Sequence, residues 1–197
     1  MFDKLCIFSL MFLLLWAYVA TSEGADYSRY VKYNKHVEFD PHFKKYTKRY
    51  FGPNFDWLYI KAQSIAESNL NKDAVSQVGA EGIMQIMPGT WEEIVRDNPW
   101  IKGEVRDARW AIAAGVSYDK RMWNIWKSPR PFIDRLSFTM ASYNAGAGNI
   151  IKAQKLAEQD KNLWSSVKDS LHKVTGHHSK ETKDYVDRII GVKEVLK

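Results

Sequence analysis

The sequence predicts a fold that is all-α or nearly so, in a single helical domain, on three observations. Apolar residues recur at helical spacing through most of the chain. Helix-start signals punctuate it at Asp40-Pro41, Asp56, Thr90-x-x-Glu93 and Asp107. Strand signals are scarce, which leaves helix packed on helix as the way to build a core. A length of 197 residues fits one domain. With 45% hydrophobic and 26% charged residues, disorder over most of the length is excluded.

The N-terminus is organised differently. Lys4 is followed by an apolar run over residues 5–20, broken only by Ser9, and then by Ala20-Thr21-Ser22. A positive start, an apolar centre and a small-x-small site describe a secretory signal, residues 1–22, cut after Ser22. Left uncut, the run would be a membrane anchor, although it is short of the roughly 20 residues of a helical span. Cys6, the sole cysteine, lies inside it. The exported chain would therefore have no disulfide, no cysteine nucleophile and no thiolate zinc site. Net charge is +6, with 29 basic and 23 acidic residues. Much of the excess lies in residues 23–50, a basic, tyrosine-rich segment carrying Arg29, Lys32, Lys35, Lys44, Lys45, Lys48 and Arg49. Such residues read as a solvated face or, functionally, as one that attracts an anionic polymer or membrane surface. Charge alone would also allow nucleic acid, but export argues against that partner.

The elements follow in order. Asp40 caps a short helix with Pro41 in its first turn, and Gly52-Pro53 ends it. Asp56 caps a second helix to about residue 70, with Leu58, Ala62 and Ile65 on one face. Residues 71–88 carry Gly79, Gly82 and Pro88 and read as an irregular loop with room for a short hairpin. Thr90 and Glu93 form a capping box for a third helix. Asp107 starts a long helix to about residue 127, with Ala108, Ile112, Gly115, Val116, Met122, Trp123 and Trp126 near one side. After Pro129 and Pro131, helices are predicted over 132–142, 149–158, 163–174 and 180–195.

The second helix carries the first hint of chemistry. At 100° per residue, Glu67 lies about 180° from Leu58, close to Ile60 at about 200°. An apolar residue beside the glutamate, away from the main apolar face, suits a helix that crosses the interior and opens Glu67 into a cleft, although an exposed helical glutamate is the simpler reading of this helix taken alone. A carboxyl there loses solvation, and its pKa rises, as a general acid requires. The glycine-rich loop that follows offers Met84 and Gln85 as an apolar contact and an amide. Ala141-Ser142-Tyr143-Asn144-Ala145-Gly146 offers a hydroxyl and a second amide at a helix C-terminus.

Taken in order, Glu67-Ser68, Gly82-Ile83-Met84-Gln85-Ile86-Met87-Pro88, Tyr143-Asn144-Ala145-Gly146 and Glu181-Thr182-x-x-Tyr185-Val186 resemble the motifs of bacterial lytic transglycosylases of the soluble lytic transglycosylase type. That family shares the goose-type lysozyme fold, lysozyme-like α+β with minimal β. The likeness covers about residues 55–195, and residues 51–197 would be the catalytic domain. Ile83 stands in place of a common leucine, and Ser142 stands where alanine usually precedes the tyrosine. Residues 26–50 have no counterpart in the family pattern.

The resemblance implies a peptidoglycan-cleaving enzyme. Glu67 would be its acid and base, and Tyr143 would orient that glutamate. Ser68, Met84, Gln85, Asn144 and Glu181 would line the subsites. Trp91, Trp100, Trp110, Trp123 and Trp126 could supply one or two stacking platforms, most of them being core. Asp73 and Glu81 are the nearby acids to consider as a second carboxylate. No cofactor and no metal are implied: His36, His42, His172, His177 and His178 lack a ligand pattern. The implied partners are glycan strands and, beyond them, wall-spanning secretion or envelope machinery. The alternatives are a hydrolase of the same fold, a non-catalytic wall-binding or scaffold protein, and a basic nucleic-acid binder.

Overall fold

The computed structural model describes residues 25–197, so the expected secretory signal lies outside the described residues. A 3-10 helix, Ser28–Lys35, precedes nine α-helices among the described residues. They are α1 Asp40–Phe51, α2 Leu58–Ser68, α3 Pro88–Asp97, α4 Ala108–Ile125, α5 Phe132–Ala145, α6 Ala147–Leu156, α7 Trp164–Ser170, α8 His172–Thr175 and α9 His178–Val195. The only β-structure described is a pair of isolated bridges, Val75 to Glu81 and Glu81 to Ile86, inside the loop between α2 and α3. A nearly all-helical fold is therefore borne out.

Helix α2 is the axis of the molecule. Ile60, Lys61, Ala62, Gln63, Ser64 and Ile65 are all buried, so it is enclosed on every side. That explains the isoleucine beside the glutamate in the sequence. Helix α9 packs on α2 and α5, and α4 packs on α1 and α5. Buried side chains such as Phe43, Ile60 and Phe138 contribute roughly 1.5–3 kcal/mol each by leaving water.

The basic, tyrosine-rich segment, to which the sequence assigns no role, supplies part of this core. Tyr30, Tyr33, Phe43 and Tyr46 are buried in it. The segment also clasps α2. The Tyr33 hydroxyl donates to Asn69 Oδ1 at 2.9 Å, just past the C-terminus of α2. Lys61, buried in α2, pairs with Asp40 at 2.8 Å and donates to the His36 carbonyl at 2.8 Å. Burying a lysine is costly unless its charge is met, and here two groups from the segment meet it.

Two capping signals hold and two are corrected. Asp107 accepts from Arg109 N at 3.0 Å at the head of α4, and Asp56 accepts from Leu58 N at 3.0 Å. Asp40 is the first residue of α1 rather than its cap, because its carboxylate is turned to Lys61. The Thr90–Glu93 capping box does not form. Helix α3 begins earlier, at Pro88, and Glu93 makes a bidentate pair with Arg121 of α4 at 2.9 and 3.1 Å. The helix expected over 163–174 is two, α7 and α8, separated at Leu171.

The loop between α2 and α3 is held by its backbone. Gly82 N donates to the Ala74 carbonyl, and Glu81 and Ile86 exchange hydrogen bonds at 3.1 and 3.0 Å. Gly82 sits at φ +76°, and a Cβ there would lie 2.2 Å from the Val105 carbonyl oxygen. Gly82→Ala should therefore destabilise by about 1–3 kcal/mol from overpacking in addition to the left-handed strain. Gly79→Ala should show the strain alone, since nothing lies within 4 Å of its Cβ position. Urea unfolding of the two variants checks the difference.

Candidate active site

Helices α2, α5 and α9 and the loop before α3 enclose a cavity of about 380 Å³. Glu67 lies in its wall with Ala66, Ser76, Val78, Ala80, Gln85, Met87, Tyr143, Asn144, Glu181, Tyr185 and Arg188. Desolvation pushes the Glu67 carboxyl up to about 8, helped by the negative charge of Glu181. The Tyr185 hydroxyl and Arg188 pull in the other direction. Burial wins, because two favourable contacts do not replace the hydration of a carboxylate. At neutral pH the group is mostly protonated, the state a general acid needs.

The group that holds Glu67 is not the one the motif suggested. Tyr185 of α9 donates to Glu67 Oε1 at 2.5 Å. Tyr143 instead donates to the Met84 carbonyl at 2.8 Å and stacks edge-on with Tyr118, ring centres 5.3 Å apart. It lines the same cavity but ties the loop to α5. Both hydroxyls are raised well above the ordinary tyrosine range, first by burial and then by the neighbouring carboxylates, so both are neutral donors.

The remaining residues divide. Gln85, Asn144 and Glu181 line the cavity as expected. Gln85 holds a left-handed backbone, φ +46°, and its amide donates to the carbonyls of Ala74 and Gly82 at 3.2 and 2.9 Å. Asn144 Oδ1 accepts from Thr182 Oγ1 at 2.8 Å, which orients the amide. Glu181 is exposed at the rim, 3.8 Å from His178. Ser68 and Met84 are not brought to the cavity. Ser68 Oγ donates to the Ile83 carbonyl at 2.9 Å, tying the loop to α2. Met84 is fully buried against Gly115, where a Cβ would meet its methyl carbon at 2.7 Å.

Asp73 and Glu81 are also elsewhere. Asp73 pairs with Lys72 at 3.0 Å, and Glu81 with Arg106 at 2.7 Å. None of the tryptophans lines this cavity. Trp126 is buried and donates to Ser142 Oγ at 3.0 Å, which accounts for the serine at that place. Among the described residues no cluster of three or more metal-ligating side chains is found.

Sequence reasoning missed Tyr185 and Arg188 as site residues. The signal was their spacing with Glu181: positions 181, 185 and 188 fall on one face of a helix. Replacing the Tyr185 hydroxyl tests its role. Tyr185→Phe should lower kcat by about 10–100-fold, the range of a hydrogen bond to a charged group. It should also move the alkaline limb of the pH profile upward, because that hydroxyl depresses the Glu67 pKa. Tyr143→Phe should leave the limb in place, since its hydroxyl is engaged with Met84.

Residues 43–164 match the sequence model of the family described as the transglycosylase SLT domain. The chain is 28% identical over 179 residues to a protein of Desulfosudis oleivorans named membrane-bound lytic murein transglycosylase F, covering 84% of this chain and 37% of that protein. It is 32% identical over 134 residues to a protein of the same name from Shewanella baltica, covering 66% and 27%. The chain thus spans well under half the length of these relatives. Among solved structures, the 70 kDa soluble lytic transglycosylase of Escherichia coli superposes with a TM-score of 0.61 at 24% identity, over 81% of this chain and 24% of that one. The lytic transglycosylase Slt of Pseudomonas aeruginosa superposes with a TM-score of 0.64 at 21% identity, over 80% and 23%. These two likenesses speak to the fold. The family match runs from the first turn of α1, inside the segment for which the motifs offered no counterpart, to the first residue of α7 and takes in Glu67, the Gly82 loop and Tyr143; by that match the chain belongs to the transglycosylase SLT domain family.

Proposed function

We propose that this protein is a peptidoglycan lytic transglycosylase, cleaving the β-1,4 bond between N-acetylmuramic acid and N-acetylglucosamine. The observation that carries this reading is Glu67: one carboxyl raised to about 8 by burial in a cavity wall, with a tyrosine hydroxyl on it. Ordinary glycosidases divide the work between two carboxylates. Among the described residues the only other one lining the cavity is Glu181, exposed at the rim. A single residue must then act as acid and afterwards as base.

Glu67 gives its proton to the bridging oxygen as the bond to C1 of the muramic residue breaks. The substrate's own acetamido group stabilises the developing charge at C1. The C6 hydroxyl of the same sugar then attacks C1, and its proton returns to Glu67. The products are a free N-acetylglucosamine hydroxyl and a 1,6-anhydromuramic end, and no water is consumed. Tyr185 holds the carboxyl through both transfers. Asn144 and Gln85 present amide groups to the sugar acetamido and hydroxyl groups. The names of the curated relatives, lytic murein transglycosylases, support the same chemistry.

Such an enzyme works in the cell envelope, where its substrate lies, and wall-spanning secretion machinery is a fitting partner. No helix among the described residues is long and apolar enough to cross a membrane. Digestion of purified peptidoglycan, followed by mass analysis of the soluble products, tests the proposal. Anhydro ends, one water lighter than hydrolysis products, are expected. Products bearing a reducing muramic end would show a lysozyme-type hydrolase instead. Absence of products from folded protein would leave a wall-binding role.

A further inference from the structure

One turn before Glu67 on α2, Gln63 meets Asp119 of α4. Neither has any exposed surface. Gln63 Nε2 donates to Asp119 Oδ1 at 3.2 Å. The other oxygen of each group, Gln63 Oε1 and Asp119 Oδ2, is buried without a hydrogen-bond partner among the described residues. Two buried acceptors left without a donor from the protein are costly, and an ionised carboxylate with one neutral donor is costlier still. A single proton resolves the arrangement. Placed on Asp119 Oδ2 and donated to Gln63 Oε1, it would satisfy both oxygens and close a reciprocal acid–amide pair.

We propose that Asp119 is a carboxylic acid that stays neutral at neutral pH, closed on Gln63 by two hydrogen bonds, and that this pair positions α2 against α4 beneath Glu67. The positioning half rests on reading Glu67 as the acid and base. The titratable groups whose charge couples to Asp119 among the described residues are Glu67 from α2, Tyr143 from α5 and Tyr185 from α9, and none of these is a cation. Burial pushes the Asp119 carboxyl well above the ordinary carboxylate range, in the direction the unpartnered oxygens require. The consequence for catalysis is electrostatic. When Glu67 becomes a carboxylate, no second negative charge stands behind it. Its basicity is then set by the cavity, Tyr185, Glu181 and Arg188 alone.

Infrared spectroscopy reads the protonation directly. Comparison of Glu67→Gln with Glu67→Gln/Asp119→Asn at neutral pH should show the carbonyl band of a protonated carboxylic acid in the first protein and its loss in the second. The Glu67→Gln background removes the other neutral carboxyl. Activity reads the positioning. Asp119→Ala should lower kcat about tenfold or more with KM within about twofold. Asp119→Asn restores an N–H where the acid O–H stood, so it should recover kcat to within about twofold and leave the alkaline limb unmoved. Absence of the carbonyl band overturns the proposal. So does an Asp119→Asn protein that is as slow as Asp119→Ala with its alkaline limb shifted downward, the mark of a lost charge. If the wild type cleaves no glycan, the catalytic reading fails and the positioning half falls with it, while the infrared comparison still decides the protonation.

Discussion

Glu67→Gln is expected to lower turnover on peptidoglycan by at least about a thousandfold while leaving the protein folded and able to bind the wall. The amide fills the same volume and can still accept from Tyr185. It cannot give a proton to the glycosidic oxygen or take one from the C6 hydroxyl. General acid or base catalysis at one step contributes about 10²–10⁴-fold, and here one side chain performs both. A thousandfold loss corresponds to roughly 4 kcal/mol of transition-state stabilisation. KM should change little, because Gln85, Asn144 and the rest of the cavity wall are untouched. Turnover within about tenfold of wild type would show that Glu67 is not the proton donor.

The same substitution should make the protein more stable, by an amount that grows with pH. Glu67 titrates near 8 in the folded protein against 4.5 when unperturbed. Between those values the folded state keeps a proton that the unfolded chain has released. Fewer protons bound in the unfolded state means that stability falls as pH rises through this window, by roughly 1.4 kcal/mol per pH unit at most. By pH 8 the penalty is on the order of 3–5 kcal/mol, and below about pH 4 it vanishes. Glutamine carries no such penalty. Chemical denaturation of the two proteins should therefore give similar stabilities in acid and a gap on the order of 3 kcal/mol at mildly alkaline pH. Asp119 contributes pH dependence of the same sign, but it is present in both proteins and largely cancels. Equal stabilities at alkaline pH would mean that the Glu67 carboxyl is well solvated, and the acid-base proposal would lose its physical basis. Activity should share this ceiling, with kcat/KM declining above about pH 8 as the free enzyme loses its proton.

Much of the fold is legible in the sequence because its causes are local. A cap such as Asp107 acts within one turn, on Arg109 N. Apolar spacing along α4 and α9 marks the side that must leave water. The interior place of α2 is legible for a related reason: Ile60, away from the main apolar face, reveals a helix buried all round, which only an interior position explains.

Local signals fail where distant residues compete for the same group. Thr90 and Glu93 satisfy a capping pattern, yet Glu93 forms two hydrogen bonds with Arg121, 28 positions away, and the helix starts at Pro88. Ser68 and Met84 belong to the right motifs, but one ties the loop to its helix and the other fills the space left by Gly115.

The sequence by itself determined a helical domain, a second predicted helix with an apolar residue on the side of its glutamic acid, and a loop of glycines beside it. Only the tertiary structure decided that Tyr185, 118 positions from Glu67, holds the carboxyl, and that Tyr143 holds the loop. Two tyrosines are chemically the same donor. Which of them reaches a given oxygen depends on how α5 and α9 pack on α2, and that geometry is set by side-chain volumes summed over the whole core rather than by any neighbour along the chain.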